Sequence, residues 1–202
     1  MMKVLQTPLF ALLAAAALVL ALAVALPAQE AADATPEAGA TPSTGAIFHG
    51  PVLVTTVGRA DGTIVRVLCQ RAGIDATLVE DASPESLAGM GTLVVAMGGS
   101  TKGLGAAGVD SDAEIARGQA ILAAAASAEI PVLGVHVGGE PRRGELSDPF
   151  CQVVVEVADA LVVKQGGNLD QFFTRAAQAH GIPLIEVETN GAAIEAIDGL
   201  FE

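Results

Sequence analysis

The residues best suited to chemistry in this chain are glycines grouped around one lysine. Gly98, Gly99, Gly103, Gly105 and Gly108 surround Lys102 in the stretch GGSTKGLGAAG, with Ser100 and Thr101 between them. Glycine exposes backbone N–H groups to close approach, and a helix starting after such a loop adds the positive end of its dipole. The arrangement suits an anion. The spacing Ser111-Asp112-Ala113-Glu114 reads as a capping box that starts that helix, Ser111 serving one end and Glu114 reaching back.

Cations form the second group. Outside the first 28 residues there are nine, and five of them (Arg59, Lys102, Arg142, Arg143, Lys164) fall in loops that follow apolar runs. Forked arginine donors together with glycine N–H groups suit a carboxylate, phosphate or sulfate. The competing role for Arg142 and Arg143 is to pair with Glu140, Glu145 or Asp148 and hold their own loop. The candidate ligand-binding set is therefore Gly98, Gly99, Ser100, Lys102, Gly103, His136, Gly138, Gly139, Arg142 and Arg143.

Other motifs are weaker. No Gly-x-x-x-x-Gly-Lys-Ser/Thr passes through Lys102. Gly103-Leu104-Gly105-Ala106-Ala107-Gly108 matches G-x-G-x-x-G but does not directly follow a strand, and no ribose-binding acid stands about twenty residues on. His136, at the end of an apolar run, is the candidate acid/base should the protein be an enzyme; a lone histidine there is slightly more often a hydrogen-bonded structural residue. His136, Glu140 and Asp148 have no diagnostic metal spacing, so neither a metal nor a cofactor is expected. Ser100 and Thr101 lack an identifiable base, and no G-x-S-x-G occurs.

These residues need a scaffold, and the periodicity supplies one. Apolar runs at 51–57, 75–79, 92–97, 131–137, 160–163 and 183–187 read as strands covered on both faces. Between them lie helical patterns, including Phe150, Val153, Val154 and Val157 at i, i+3, i+4, i+7 in a valine-rich segment. Strict alternation means right-handed βαβ units and an α/β fold. Six strands are too few for an eightfold barrel. The expectation is an open doubly wound parallel sheet, flavodoxin-like or Rossmann-like, with ligands outside the carboxyl ends of the strands where strand order reverses. With the order 2-1-3-4-5-6, the loops 58–62 and 98–108 would face each other across that crevice.

Composition sets the rest. Residues 1–28 read as a signal peptide, with Lys3 as the positive start, Leu9–Leu26 as the apolar run and Leu26-Pro27-Ala28 before the cut. Left uncleaved, the same run would anchor the chain in a membrane. Either way the folded part is expected outside the cytoplasm. Residues 29–50, rich in Ala, Thr, Pro, Glu and Gly, read as a flexible linker, leaving 51–202 as a single domain. The formal charge is -13, or -14 once Lys3 is lost, which argues against nucleic acid and anionic membrane surfaces. No Trp or Tyr is present to stack bases or sugars. Cys69 and Cys151 are an even pair, compatible with a disulfide in an exported protein, but both fall on apolar helix faces where cysteine acts as a small hydrophobe.

At GGSTKGLGAAG, HVGGEPRRGELSD and KQGGN the chain resembles a family of secreted bacterial proteins classed as a domain of unknown function. The resemblance covers about Pro51 to the end. It implies the domain limits and export, and brings no reaction, ligand or catalytic residue. Three functions follow from the residues: binding of a small anion without turnover, a hydrolase or transferase acting on a phosphorylated or carboxylated substrate, or a module for an unidentified protein partner.

Overall fold

A computed structural model describes residues 47–202. The expected signal segment and most of the expected linker lie outside the described residues. Six strands form one all-parallel sheet: β1 (Val52–Val57), β2 (Ala76–Leu78), β3 (Thr92–Met97), β4 (Val132–His136), β5 (Ala160–Lys164) and β6 (Leu184–Val187), in the order β2-β1-β3-β4-β5-β6. Every residue of β1, β3 and β4 is buried, as expected when helices cover both faces and no side of the strand can afford polar alternation.

The helices are α1 (Gly62–Arg71), α2 (Thr101–Ala107), α3 (Ser111–Ser127), α4 (Asp148–Val155), α5 (Phe172–His180) and α6 (Asn190–Asp198). Two apolar clusters divide them. Ile121, Leu122, Phe150, Val154 and Phe173 pack on one face of the sheet with Leu53, Val95 and Leu161. Val65, Leu68 and Ile197 pack on the other with Val54, Val94 and Val162. The chain thus winds both ways from β1, and order reverses between β1 and β3. The valine-rich segment is helical because its apolar side chains share one face; α4 buries Phe150, Cys151, Val153, Val154 and Val155.

Three expectations change. The fold begins before Pro51: Phe48 is completely buried, its ring centroid 5.4 Å from that of Phe201, and the Ile47 and Phe48 N–H groups donate to the Leu200 carbonyl. Burying that ring contributes on the order of 2 kcal/mol, which is why this end of the expected linker is ordered. The stretch 101–107 is helix rather than loop, capped by the Ser100 hydroxyl, which accepts from the Gly103 N–H at 3.1 Å. The capping box at Ser111 does not form. Asp110 is the N-cap, accepting from the Ala113 N–H at 2.8 Å, and Glu114 turns inward.

Cys69 and Cys151 are free and buried, one in each apolar cluster on opposite faces of the sheet. No disulfide can join them. Burial pushes their thiols up to about 11 and about 12, so neither is an available nucleophile at neutral pH.

No helix among the described residues is long and apolar enough to cross a membrane.

Candidate functional site

The carboxyl ends of β1, β3, β4 and β5 bring together the loops that carry the candidate residues. The gap expected between the loops after β1 and β3 is closed. Gly98 N–H donates to Val57 O at 3.1 Å, Ser100 N–H donates to Gly58 O at 2.9 Å, and Arg59 and Gly99 form an antiparallel bridge. Gly58, at φ +100°, has no room for a Cβ against the Gly98 carbonyl and the Phe150 ring. The loops are zipped together through glycine.

This closure engages the backbone donors expected to hold an anion. Gly99 N–H donates to Ser147 Oγ at 2.9 Å, and Gly103 N–H to Ser100 Oγ. Gly103 is glycine because the Arg59 backbone rests where its Cβ would stand. Its G-x-G-x-x-G partners, Gly105 and Gly108, lie on α2 and at its left-handed C-cap, so the match has no phosphate-loop geometry. Lys102 is exposed on α2.

Beneath the zipped loops lies a residue that sequence reasoning misassigned. The Glu114 side chain is fully buried. Its Oε1 accepts from Gly58 N–H at 3.2 Å and from Arg117 Nη2 at 2.7 Å; its Oε2 accepts from Arg59 Nε at 2.8 Å and Arg117 Nε at 3.0 Å. Burial opposes ionisation, but the Arg117 and Arg59 hydrogen bonds, the Arg117 charge and the Gly58 N–H outweigh it and hold the Glu114 carboxyl below its ordinary range. Arg117 also donates to the Ala82 and Thr56 carbonyls. The readable signal was the Glu114/Arg117 spacing of three, which puts both on one side of α3.

His136 is fully buried. Its Nδ1 is 3.0 Å from Met97 O, its Nε2 is 3.3 Å from Gly139 O, and its ring packs 5.2 Å from Phe173. A Cβ at Gly167 would stand 2.5 Å from the imidazole. Burial lowers its pKa, outweighing the two carbonyls that favour the charged form. It has no path to a substrate as it stands. Because the folded state resists a proton that the unfolded chain accepts near the ordinary value of 6.5, the unfolded state binds more protons below that pH. Stability is therefore expected to fall as pH drops from 7.5 to 6, and His136→Gln to flatten the slope in urea titrations. An unchanged slope in the variant would contradict this.

Arg143 belongs to the loop's own scaffold. Nε donates to Asp148 at 2.8 Å, both Nη atoms reach Asp170 at 3.1 Å, Nη1 also donates to Gly167 O, and the guanidinium lies 4.8 Å from the Phe172 ring centroid. A cleft of about 260 Å³ beside it is lined by Glu140, Asp148, Gly166, Leu169 and Asp170; with two carboxylates on Arg143, it carries no spare positive charge.

The remaining candidates converge on one turn. Arg142 folds over Gly138, which has no room for a Cβ, and the Lys164 stem lies beside Gly139, which sits at φ +66°. Arg142 Nη1 donates to Gly99 O at 3.3 Å, and its Nε is 3.7 Å from Asp61 Oδ2, an atom buried without a hydrogen-bond partner. No carboxylate among the described residues lies within 4.0 Å of Lys164. Lys164, one of the five loop cations but outside the candidate ligand-binding set, thus lies at the same turn as Arg142.

A six-stranded, doubly wound parallel α/β domain with its polar loops gathered at the carboxyl edge is the class defined by this architecture. The chain belongs to the family described as a domain of unknown function (DUF6305), whose pattern matches residues 49–201. No curated protein matches it. Among solved structures it is similar to a Schiff-base-forming fructose-1,6-bisphosphate aldolase, at 14% identity over 75% of this chain and 82% of that one, with a TM-score of 0.35. An archaeal fructose 1,6-bisphosphate aldolase is similar at 14% identity over 74% and 80%, TM-score 0.34. A GDSL-like lipase from Bacteroides thetaiotaomicron follows at 12% identity over 67% and 66%, TM-score 0.31. Likeness at this level carries no argument about chemistry.

Proposed function

We propose that this is an exported domain that binds a small anion at the Gly138–Gly139 turn and does not transform it. The carrying observation is two cations on one turn against one carboxylate: Arg142 over Gly138, paired with Asp61 at 3.7 Å, and Lys164 beside Gly139, with no carboxylate among the described residues within 4.0 Å. Arginine offers a planar fork and lysine a point charge, a pair that suits a carboxylate, phosphate or sulfate. Lys102, exposed on α2, adds attraction at longer range. The burial of His136 supports binding over turnover.

The test is a thermal-shift screen of the purified protein against phosphate, sulfate and small dicarboxylates. A ligand at about 100 times its dissociation constant adds roughly 2.7 kcal/mol of stability. The shift is expected to disappear in Arg142→Ala and in Lys164→Ala. A screen without any shift, or a shift indifferent to both variants, would contradict the reading.

A further inference from the structure

A second cleft lies between the residues that follow β1 and β2 and helix α2. Its volume is about 470 Å³, and Arg59, Glu80, Asp81, Gly103, Ala106, Ala107 and Val109 line it. The charge balance behind its wall is uneven. Glu114 carries one negative charge and is shared by two guanidinium groups. Arg117 is satisfied by Glu114 and by the Ala82 and Thr56 carbonyls. Arg59 gives only its Nε to Glu114, and among the described residues neither of its Nη groups has an acceptor. The surplus positive charge therefore belongs to the fork of Arg59, whose side chain is only 11% exposed.

The Nε bond to Glu114 at 2.8 Å holds the guanidinium, and the backbone beneath it is fixed: Arg59 adopts φ +61°, rests on Gly103 and bridges Gly99. Preorganised donors of this kind bind a carboxylate without first ordering a side chain. Glu80 and Asp81 are exposed, and neither is within 4.0 Å of Arg59. The cleft therefore presents a fixed cation and two carboxylates that do not neutralise it, beside the small apolar side chains of Ala106, Ala107 and Val109.

We propose that this cleft binds a free α-amino acid, its carboxylate on the Arg59 fork, its ammonium on Glu80 or Asp81, and its side chain against Ala106, Ala107 and Val109. The site is separate from the Gly138–Gly139 turn and does not depend on the anion reading.

The experiment is calorimetric titration of the purified protein with L-leucine, N-acetyl-L-leucine and L-leucinamide. L-Leucine is expected to bind, and each derivative, lacking one charge, to bind at least about tenfold more weakly. Arg59→Lys keeps a charge for Glu114 but removes the fork, and should weaken L-leucine binding similarly. Because that change touches the buried network, Ala106→Leu serves beside it: the exposed helix position tolerates leucine, which fills the cleft and should abolish binding at an unchanged melting temperature. Arg142→Ala should leave L-leucine binding intact. No binding of L-leucine would overturn the proposal, as would equal binding of N-acetyl-L-leucine or full binding in Ala106→Leu.

Discussion

Replacing Glu114 with alanine is expected to lower the unfolding free energy by about 3–5 kcal/mol, the range for removing one partner of a buried ion pair. The cost comes from what remains. Arg59 and Arg117 would stand side by side without the carboxylate that both approach within 3.0 Å, and the Gly58 N–H would lose its acceptor. Glu114→Gln should recover only part of the loss, since it keeps an acceptor oxygen but not the charge. The same network makes a pH prediction. Glu114 has its folded pKa lowered, so its contribution is present above the ordinary carboxylate range and is lost as pH falls through the folded value. Urea denaturation at pH 7 and pH 4 measures both, and a loss below about 1 kcal/mol in Glu114→Ala would place the network among marginal surface pairs.

Gly58→Ala is the second large effect, expected at about 2–5 kcal/mol from overpacking together with a strained backbone. A Cβ there meets the Gly98 carbonyl and the Phe150 ring, a backbone group and a fully buried side chain that cannot swing away. Gly73 supplies the control. It also has positive φ, +78°, but open space around its missing Cβ, so Gly73→Ala should cost only the backbone part, about 1–2 kcal/mol. The difference between the two, read from denaturation midpoints, measures how tightly the loops after β1 and β3 are locked. Equal losses would mean that this closure contributes nothing.

The layered fold was legible because a parallel sheet covered on both faces leaves its strands as plain apolar runs, of which β3 is the clearest. The valine-rich α4 was legible for the opposite reason: its side chains repeat at helical rather than alternating spacing. What sequence could not show depended on partners distant in the chain. Glu114 matched the local pattern of a capping box, but Arg59, 55 residues away, and Gly58 draw it inward, leaving Asp110 to cap the helix. Gly103 belongs to a stretch whose five glycines read as a loop; it is tolerated in α2 because the Arg59 backbone needs the space. Sequence placed the loop cations at the carboxyl edge of the sheet, where the loops after β1, β4 and β5 lie. It could not tell that Asp148 and Asp170 claim Arg143, nor that Arg142 and Lys164 flank the same turn.

Anion binding at this turn through Arg142 and Lys164 is open to direct measurement. Its most direct measurement is a calorimetric titration with the anion giving the largest thermal shift, comparing the unaltered protein with Lys164→Ala and Arg71→Ala. Arg71, in the last turn of α1, removes the same charge at the far end of that helix. Loss of a charge-assisted hydrogen bond, about 1.5–3 kcal/mol, corresponds to roughly 10- to 150-fold in affinity. That loss is expected in Lys164→Ala, with no change in Arg71→Ala. Equal affinity in all three proteins, or equal weakening in both variants, would contradict it.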